Sequence, residues 1–515
     1  MDFVSFAPFR GYQKSMAEHF ISRADAESNL LACATYLAES IESADGHAEG
    51  ISAVIPRYLE KGNVDLAAEL ANTVDDPFMR DRLLIQVAEK CAAVDDDEYA
   101  LQLVDAIEDP GMQAEGRERI GILEAAQGNF ESARQIAESI SHPDHVYAAI
   151  AGKLYADGDA AAFKQEVEQI EFAAARVSAY TGIAHSRIAD GNAEGVSELL
   201  DSAVNDAVEI EHDEERIRAL IEIGTLYVEV GSNGPAIETF DKAREFSEQL
   251  DNIHRDTFLA AVSVGFLRAG SQELADRTLD LVEDKTQLAT CLVGHARHFW
   301  AKDQKDDAIE SIEEAYTILK SQKETETRNS KEKFRLFGSI AAQFAHFDRG
   351  ERAIETSEEN VDDTERMHSL AQIAVLFASR NEDELAAQAI NAIEEDAQRT
   401  FALIGVSDAV EKAGNRGAAI AHLDEADHLA ESVPQLASRS NAYLEIAKRF
   451  AKYDQAEKFD SVIVKGTEAI KAIKDESIQV TSLVELESMV EELGLDIAPE
   501  DLGFLKILLK DIPTE

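Results

Sequence analysis

Two histidines that lie three residues apart have the type and spacing that suit metal binding. His295 and His298 occur in the segment CLVGHARHFW, where helical spacing would place both rings on one side of a helix. A metal site needs further ligands, and the spacing of Cys, His, Asp and Glu reveals none. His142 and His145, in SHPDHVY, lack further ligands in the same way. We therefore expect ordinary core and surface histidines, with no metal and no cofactor.

Paired carboxylates are the other candidates for chemistry, because acid–base catalysis uses two of them in a closed pocket. The adjacent acids of this sequence instead fall where turns and helix N-termini are expected, at 75–76, 95–97 and 362–363. The helix dipole favours negative charge at such positions. The sequence contains no GxxxxGK[ST], GxSxG or HExxH motif, and no GxGxxG after a strand. We predict that the chain is not an enzyme.

The elements that must position these side chains recur along the sequence. The segments ATYLAESI (34–41), AAELANTV (67–74), ALQLVDAI (100–107) and ARQIAESI (133–140) begin 33 residues apart. The same frame continues through starts at Phe163, Val196, Ala236, Ala275, Ala308, Ala353, Ala386, Ala419 and Phe459, and seven of the twelve gaps between starts equal 33 residues. Such a period predicts one small structural unit stacked many times.

Three positions in this frame predict two helices per repeat. Five residues before each start stands Gly, Asn or Asp, the types that tolerate a left-handed backbone at a helix end. Twelve residues before it stands Ala, Gly or Ser in every repeat except the one with Ile55, so the two helices can approach closely. Nine residues before it, large aromatics that would fill the space between pairs recur as Tyr227, Phe266, Phe299, Phe344, Phe377 and Phe450.

This frame resembles that of the tetratricopeptide (TPR) family over roughly residues 15–475. The tryptophan-type residue of the family is here mostly Leu or Tyr, as in Tyr147 and Leu370, so the likeness is divergent. The resemblance implies an all-α fold: a right-handed α-solenoid, or superhelix, of about thirteen TPR-like helix pairs with capping helices at the ends. We expect an N-terminal cap at 1–21, the solenoid at 22–475 and C-terminal capping helices at 476–515. Possible joints lie near 206–214 and 320–334.

By analogy with the family, the first helix of each pair lines a concave groove. The groove positions lie eleven and eighteen residues before each start. The predicted partner-binding residues at these positions are Arg82, His145, His185, Arg218, Thr225, Arg297, Arg335, His368, Asn441 and Lys448. Arg at such positions would favour a carboxylate, a phosphate or a peptide terminus. Alternatively, these side chains pair with neighbouring acids and only space the helices.

Composition limits the kind of partner. The 49 Lys and Arg residues against 101 Asp and Glu residues give a formal net charge of −52, which argues against nucleic acid and anionic membrane as partners. Because the acids are spread along the chain, adaptation to high cytoplasmic salt explains them better than binding of a basic partner or mimicry of nucleic acid. Cys33, Cys91 and Cys291 form no disulfide or zinc pattern, and no stretch is long and apolar enough to span a membrane.

These observations predict a cytoplasmic, non-catalytic scaffold or adaptor that recognises a protein or peptide segment in its concave groove. The alternative is a ligand-responsive regulator, whose superhelix changes pitch when it binds a small molecule or a peptide.

Overall fold

The computed structural model describes residues 19–322, 330–495, 501–510 and 512. Within these residues the chain forms α-helices and one short 3-10 helix (Asp501–Phe504), without a β-strand. The helices divide into two compact units, which take the described residues of Met1–Cys91, Ala106–Asp109 and Pro434–Glu515 (unit 1) and of Ala92–Asp105 and Pro110–Val433 (unit 2).

The helices of unit 1 are α1 (Arg23–Ala26), α2 (Leu30–Ser40), α3 (Ala44–Glu60), α4 (Val64–Ala71), α5 (Pro77–Ala92, which ends one residue inside unit 2), α25 (Leu436–Lys452), α26 (Ala456–Ala472), α27 (Glu476–Glu492) and α28 (Leu505–Leu508). The helices of unit 2 are α6 (Asp97–Asp105), α7 (Pro110–Gln127), α8 (Phe130–Ser139), α9 (Asp144–Ala156), α10 (Ala160–Val167), α11 (Ala173–Ala189), α12 (Val196–Ala207), α13 (Asp213–Glu229), α14 (Asn233–Gln249), α15 (Arg255–Arg268), α16 (Gln272–Leu279), α17 (Lys285–Ala301), α18 (Lys305–Ser321), α19 (Ser330–His346), α20 (Gly350–Glu358), α21 (Asp363–Ser379), α22 (Asp383–Asn391), α23 (Asp396–Lys412) and α24 (Arg416–Ala430).

The helices form TPR-like pairs, as the sequence frame predicts. We call the odd-numbered helices from α3 to α27 the A helices and the even-numbered helices from α2 to α26 the B helices. Nearly every predicted repeat start lies in the first turn of a B helix; Ala34 begins the second turn of α2. In unit 2, each A helix from α7 to α23 packs against its own B helix and against its A neighbours. The core therefore lies between the two helices of a pair and between successive pairs, and the prediction of an all-α repeat fold is confirmed.

The predicted turn residues adopt the left-handed backbone that their types allow. Twelve of the thirteen have a positive φ, including the non-glycine residues Asp95 (φ 64°) and Asn381 (φ 59°). The exception is Asn29, which is extended (φ −142°) and whose side chain accepts a hydrogen bond from the Ala32 amide at 2.9 Å, so it begins α2. A positive φ is also found at Gly494, at the end of α27.

Small side chains bring the two helices of a pair together. The Ser263 hydroxyl donates to the carbonyl oxygen of Ala275, a repeat start, at 2.8 Å, and Ser407 bonds the start Ala419 in the same way at 2.9 Å. Between α13 and α15, the ring of Phe240 fills a site where a Cβ on Gly265 would come within 2.5 Å of it. The small residues thus make room for close contacts between helices.

The predicted aromatic row is buried between pairs. Phe266, Phe344 and Phe377 are completely buried, and the other three aromatics of the row are also buried. Three repeats place a charged residue in the same position, which is occupied by Asp25 on α1, Glu124 on α7 and Arg187 on α11. Glu124 is fully buried.

In unit 1, helices from the two ends of the chain form a pair. α27 is an A helix without a B helix of comparable length after it among the described residues, and only the four-residue helix α1 precedes the B helix α2. α27 packs against α2 and also against α3, the A helix that follows α2. In addition, the Arg23 guanidinium donates to the carbonyl oxygens of Leu509 at 2.6 Å and Ile512 at 2.9 Å.

The predicted boundaries map onto the helices as follows. The apolar N-terminal cap at 1–21 lies outside the described residues except for 19–21. The region 206–214 runs from the end of α12 to the start of α13, and 320–334 joins α18 to α19 through residues 323–329, which are not described. The region 476–515 contains α27, the 3-10 helix and α28. The roles of these regions as caps and joints stay predictions.

Candidate binding cleft

The histidine pair that suggested a metal is divided between the core and its edge. His295 is buried, and its Nε2 atom lies 3.0 Å from the Ser263 hydroxyl and 3.7 Å from the sulfur of Cys291. Burial and the neighbouring His298 lower the pKa of His295 to about 4, so this ring is neutral. Burial also raises the pKa of the Cys291 thiol to about 11, which keeps it protonated. These groups pack as core side chains.

The acid pairs occupy helix starts. Asp76 accepts the Met79 amide at 2.7 Å, and Asp362 accepts the Glu365 amide at 2.9 Å and caps α21. Among residues 19–322, 330–495 and 501–510, no three His, Cys, Asp or Glu side chains are grouped so that they could hold a metal ion. A search of the described helices finds none with the length and apolar character that a membrane crossing requires.

Six of the predicted groove residues contact a neighbouring A helix. His185 on α11 bonds Glu222 on α13 at 3.2 Å, and Arg335 on α19 bonds Glu365 on α21 at 3.2 Å. The remaining contacts join His145 to Glu118 on α7, Arg218 to the ring of Phe258 on α15, Arg297 to Ser339 on α19, and Lys448 to Glu492 on α27. Arg335, Lys448 and Arg218 are therefore paired with carboxylates of their own unit, Arg218 with Glu214 on its own helix. Exposed pairs of this kind contribute at most about 1 kcal/mol each.

The other four predicted groove residues form no such contact among the described residues. Arg82 is exposed on α5, the Thr225 hydroxyl donates to the Ile221 carbonyl oxygen at 2.9 Å, and His368 contacts Gln372 at 2.8 Å. Arg82, Asn441 and Lys448 belong to unit 1, and the other seven predicted groove residues belong to unit 2. Of the ten, Asn441 alone lines the open cleft described next, and the partner-binding role of the others stays a prediction.

An open cleft of about 290 Å³ lies between three A helices of unit 1. Glu49 on α3, Asn441 on α25 and Thr481 on α27 line it at equivalent positions, each thirteen residues before the left-handed turn residue of its repeat. In the sequence frame this is the groove position eighteen residues before a start. The remaining lining residues are Ala437, Ser438, Ser477, Ile478, Ser482 and Glu485.

The charged side chains that line this cleft are carboxylates. Glu49 accepts a hydrogen bond from the Ser477 hydroxyl at 2.8 Å. Glu485 is exposed but stands in a concave position, and desolvation together with the charge of nearby Glu445 raises its pKa. Four polar lining side chains make no hydrogen bond or ion pair with the described residues: Ser438, Asn441, Ser482 and Glu485. The cleft thus offers unused hydrogen-bond acceptors in a negative environment.

Sequence reasoning found Asn441 but missed the carboxylates beside it. α27 was not recognised as an A helix, because no repeat start follows it among the described residues. Gly494 could have identified α27 as an A helix, because it has the left-handed backbone of the other turn residues. The residue thirteen positions before it, at the groove position, is Thr481. Glu49 occupies the groove position of the Ala67 repeat and was visible in the frame. The predicted binding residues were Arg, Lys, His, Thr and Asn, so this carboxylate was not among them.

A second acidic feature lies in unit 2, where Glu124 fills an aromatic position. Within the described part of the chain, neither carboxylate oxygen of Glu124 has a hydrogen-bond partner, and the buried Oδ1 atom of Asp97 on α6 also has none. Desolvation, followed by the nearby Asp97 carboxyl, raises the pKa of Glu124 to about 7. A protonated Glu124 is therefore more stable in the fold than an ionised one.

We expect Glu124→Gln to stabilise the protein at pH 8 and to do so less at pH 5. The pKa of Glu124 in the folded protein exceeds the ordinary value of 4.5. The free energy of unfolding therefore includes the full contribution of neutral Glu124 below about pH 4.5, and it loses this contribution as the pH rises through about 7. The amide stays neutral at both pH values. The gain at pH 8 should be about 1–3 kcal/mol, measured by urea unfolding. Glu168→Gln, at an exposed position in unit 2, is the control and should be neutral at both pH values. An equal gain at pH 5 and pH 8 would contradict the prediction.

No protein-family model matches this chain, and no curated protein matches it. Among solved structures, Ton1535 from Thermococcus onnurineus NA1 is 16% identical with a TM-score of 0.24, over 68% of this chain and 97% of that one. Aspartyl phosphate phosphatase F from Bacillus subtilis is 12% identical with a TM-score of 0.31, over 76% and 94% of the chains. A structure of Naa15/Naa10 bound to HypK-THB is 12% identical with a TM-score of 0.33, over 96% and 84%. At these TM-scores the likenesses carry no argument, and the TPR-like assignment rests on the helix pairs of this chain.

Proposed function

We propose that this chain is a protein-binding adaptor of the cytoplasm, and that the cleft between α3, α25 and α27 receives a segment of its partner. The observation that carries this proposal is the gathering of Glu49, Asn441 and Thr481, all at the groove position of their repeats, around one open cleft. Of the other nine predicted groove residues, six contact a neighbouring A helix. In the cleft, polar groups remain unused and are available to a partner.

The open shape of the cleft supports an adaptor role. Sites for small molecules and cofactors usually enclose about 300–1,000 Å³ and bury most of the ligand. The cleft holds about 290 Å³ and is open, which suits a side chain of a longer partner better than an enclosed ligand. Because helices provide the lining, the backbone of the cleft is already ordered before a partner binds, and little conformational entropy is lost on binding.

A photo-crosslinking residue placed at Thr481 tests this proposal. Thr481 is exposed and lines the cleft, whereas Asp460 is exposed on the B helix α26 of the same unit. We expect the Thr481 variant, in extract of the source cells, to crosslink a protein that the matched Asp460 variant does not. Mass spectrometry would identify the crosslinked segment. If the two positions give the same products, or Thr481 gives none, the cleft is not the binding site.

A further inference from the structure

We infer that the cleft between α3, α25 and α27 binds a cationic side chain, Lys or Arg, of a basic peptide segment. This inference rests on the proposed function and names the chemistry of the partner. The prediction from the groove positions was the opposite, because Arg at those positions would favour an anionic group.

The lining carries the charge and the acceptors that such a side chain needs. Glu49 and Glu485 are its charged residues, and no Lys or Arg belongs to the described lining. The ammonium of Lys has three N–H donors and the guanidinium of Arg has five, and neither group accepts hydrogen bonds. Acceptors come from all three surrounding helices: the carboxylates of Glu49 on α3 and Glu485 on α27, and the Asn441 side-chain carbonyl and Ser438 hydroxyl on α25. Charge-assisted hydrogen bonds of this kind are stronger than neutral ones.

A buried serine provides an independent sign of a missing partner. Ser482 lines the cleft, its residue is 4% exposed, and its hydroxyl makes no hydrogen bond to the described residues. The Ser482 side chain is nearly buried, but its oxygen is not wholly enclosed. A serine hydroxyl in a helix often donates to the carbonyl four residues earlier. Thr481, the preceding residue, makes that bond to Ser477 at 3.0 Å, whereas Ser482 leaves its bonding capacity for an occupant of the cleft.

The surroundings oppose an anionic occupant. Desolvation, followed by the charge of Glu445 on α25, raises the pKa of Glu485, although Glu445 also pairs with Arg449 on its own helix. A cation placed between the carboxylates relieves the repulsion, whereas an anion would increase it. The net charge of −52 also attracts basic segments over the whole surface, so a test must separate the cleft from this general attraction.

The test uses calorimetric titration of the whole chain with three peptides of one design. Each peptide has a single central Lys, Arg or norleucine in a Gly/Ala segment with capped ends. Norleucine keeps the aliphatic stem of Lys and removes its charge. We expect the Lys or Arg peptide to bind and the norleucine peptide to bind at least about tenfold more weakly, because charge-assisted bonds are lost. Equal binding of all three peptides, or binding of none, would overturn the inference.

Charge-matched variants distinguish the cleft from the acidic surface. Glu49→Gln with Glu485→Gln removes two charges from the cleft, and Glu457→Gln with Asp460→Asn removes two from exposed positions on α26 in the same unit. The first pair should raise the dissociation constant of the cationic peptide about tenfold or more, and the second pair should leave it within about twofold. Equal weakening by both pairs would show diffuse attraction and refute the inference. Glu485→Gln alone, at an exposed residue, serves if the loss of the Glu49–Ser477 bond impairs folding.

The two proposals fail in different ways. If Thr481 crosslinks a partner but the cationic peptides do not bind, the adaptor function stands and the cationic ligand is wrong. If the peptides bind through Glu49 and Glu485 but no protein crosslinks at Thr481, the cleft binds cations but is not the site at which this chain receives a partner protein.

Discussion

Leu483→Ala is expected to lower the free energy of unfolding by about 2–5 kcal/mol. Leu483 is completely buried on α27, the helix that packs against α2 and α3 from the other end of the chain. Removing its branched side chain loses the transfer free energy of the deleted groups and leaves a cavity between helices that can relax only partly. Urea unfolding followed by far-ultraviolet circular dichroism measures the loss.

An exposed apolar residue in the same unit provides the matched control. Val464 on α26 is 58% exposed, so Val464→Ala should change the free energy of unfolding by no more than about 0.5 kcal/mol. If both substitutions proved neutral, α27 would contribute no packing energy to unit 1, contrary to the pair that it forms with α2.

This pairing matters because repeat proteins are held together by neighbouring repeats. An A helix buries one face against its B helix and another against the next A helix, so a terminal helix normally leaves one face uncovered. α2 has nine buried residues but only a four-residue helix before it in the described sequence. α27 covers this face from more than 400 residues away. The stability of the first repeat therefore depends on α27.

The repeat frame could be predicted because its signals are local. A Gly, Asn or Asp five residues before a start is required by the left-handed turn between two helices, and twelve of the thirteen adopt it. A serine at the small position, such as Ser263, touches the start residue of its own repeat at 2.8 Å. These contacts join residues twelve positions apart, so periodicity alone contains the information.

The pairing of the chain ends could not be read from the same frame. A repeat start marks a B helix, and α27 has none after it among the described residues, whereas its partner α2 lies at the other end of the sequence. The charge of the cleft was missed for a related reason. Whether a groove side chain is free depends on which residue the neighbouring helix places opposite it. Arg335 bonds Glu365, whereas Asn441 has no hydrogen-bonding partner among the residues that the structure describes. Spacing places a residue on a face but does not identify what stands opposite.

Glu487→Ala should also destabilise the protein strongly, by about 3 kcal/mol. Glu487 on α27 bonds the Arg57 Nε atom on α3 at 2.8 Å and the Lys61 Nζ atom at 3.0 Å. Only 13% of the Arg57 side chain and 11% of the Glu487 side chain are exposed. Although burial opposes its charge, Arg57 has a raised pKa because Glu487, Glu60 and Glu491 stabilise the guanidinium. Removing Glu487 leaves the largely buried Arg57 guanidinium with only Glu60 and Glu491, which are more exposed. We therefore expect a larger loss of unfolding free energy than for a surface ion pair.

Two comparisons isolate this interaction. Arg277→Ala breaks a pair with Glu273 in which both side chains are at least 70% exposed, and it should cost at most about 1 kcal/mol. The double variant Arg57→Glu with Glu487→Arg restores opposite charges and should recover part of the stability that each single variant loses. Concentrated KCl should reduce the effect of Arg277→Ala more than that of Glu487→Ala, because salt screens exposed charges more than buried ones. If Glu487→Ala and Arg277→Ala cost the same and respond equally to salt, the contact between α3 and α27 is an ordinary surface ion pair, and packing alone holds the chain ends together.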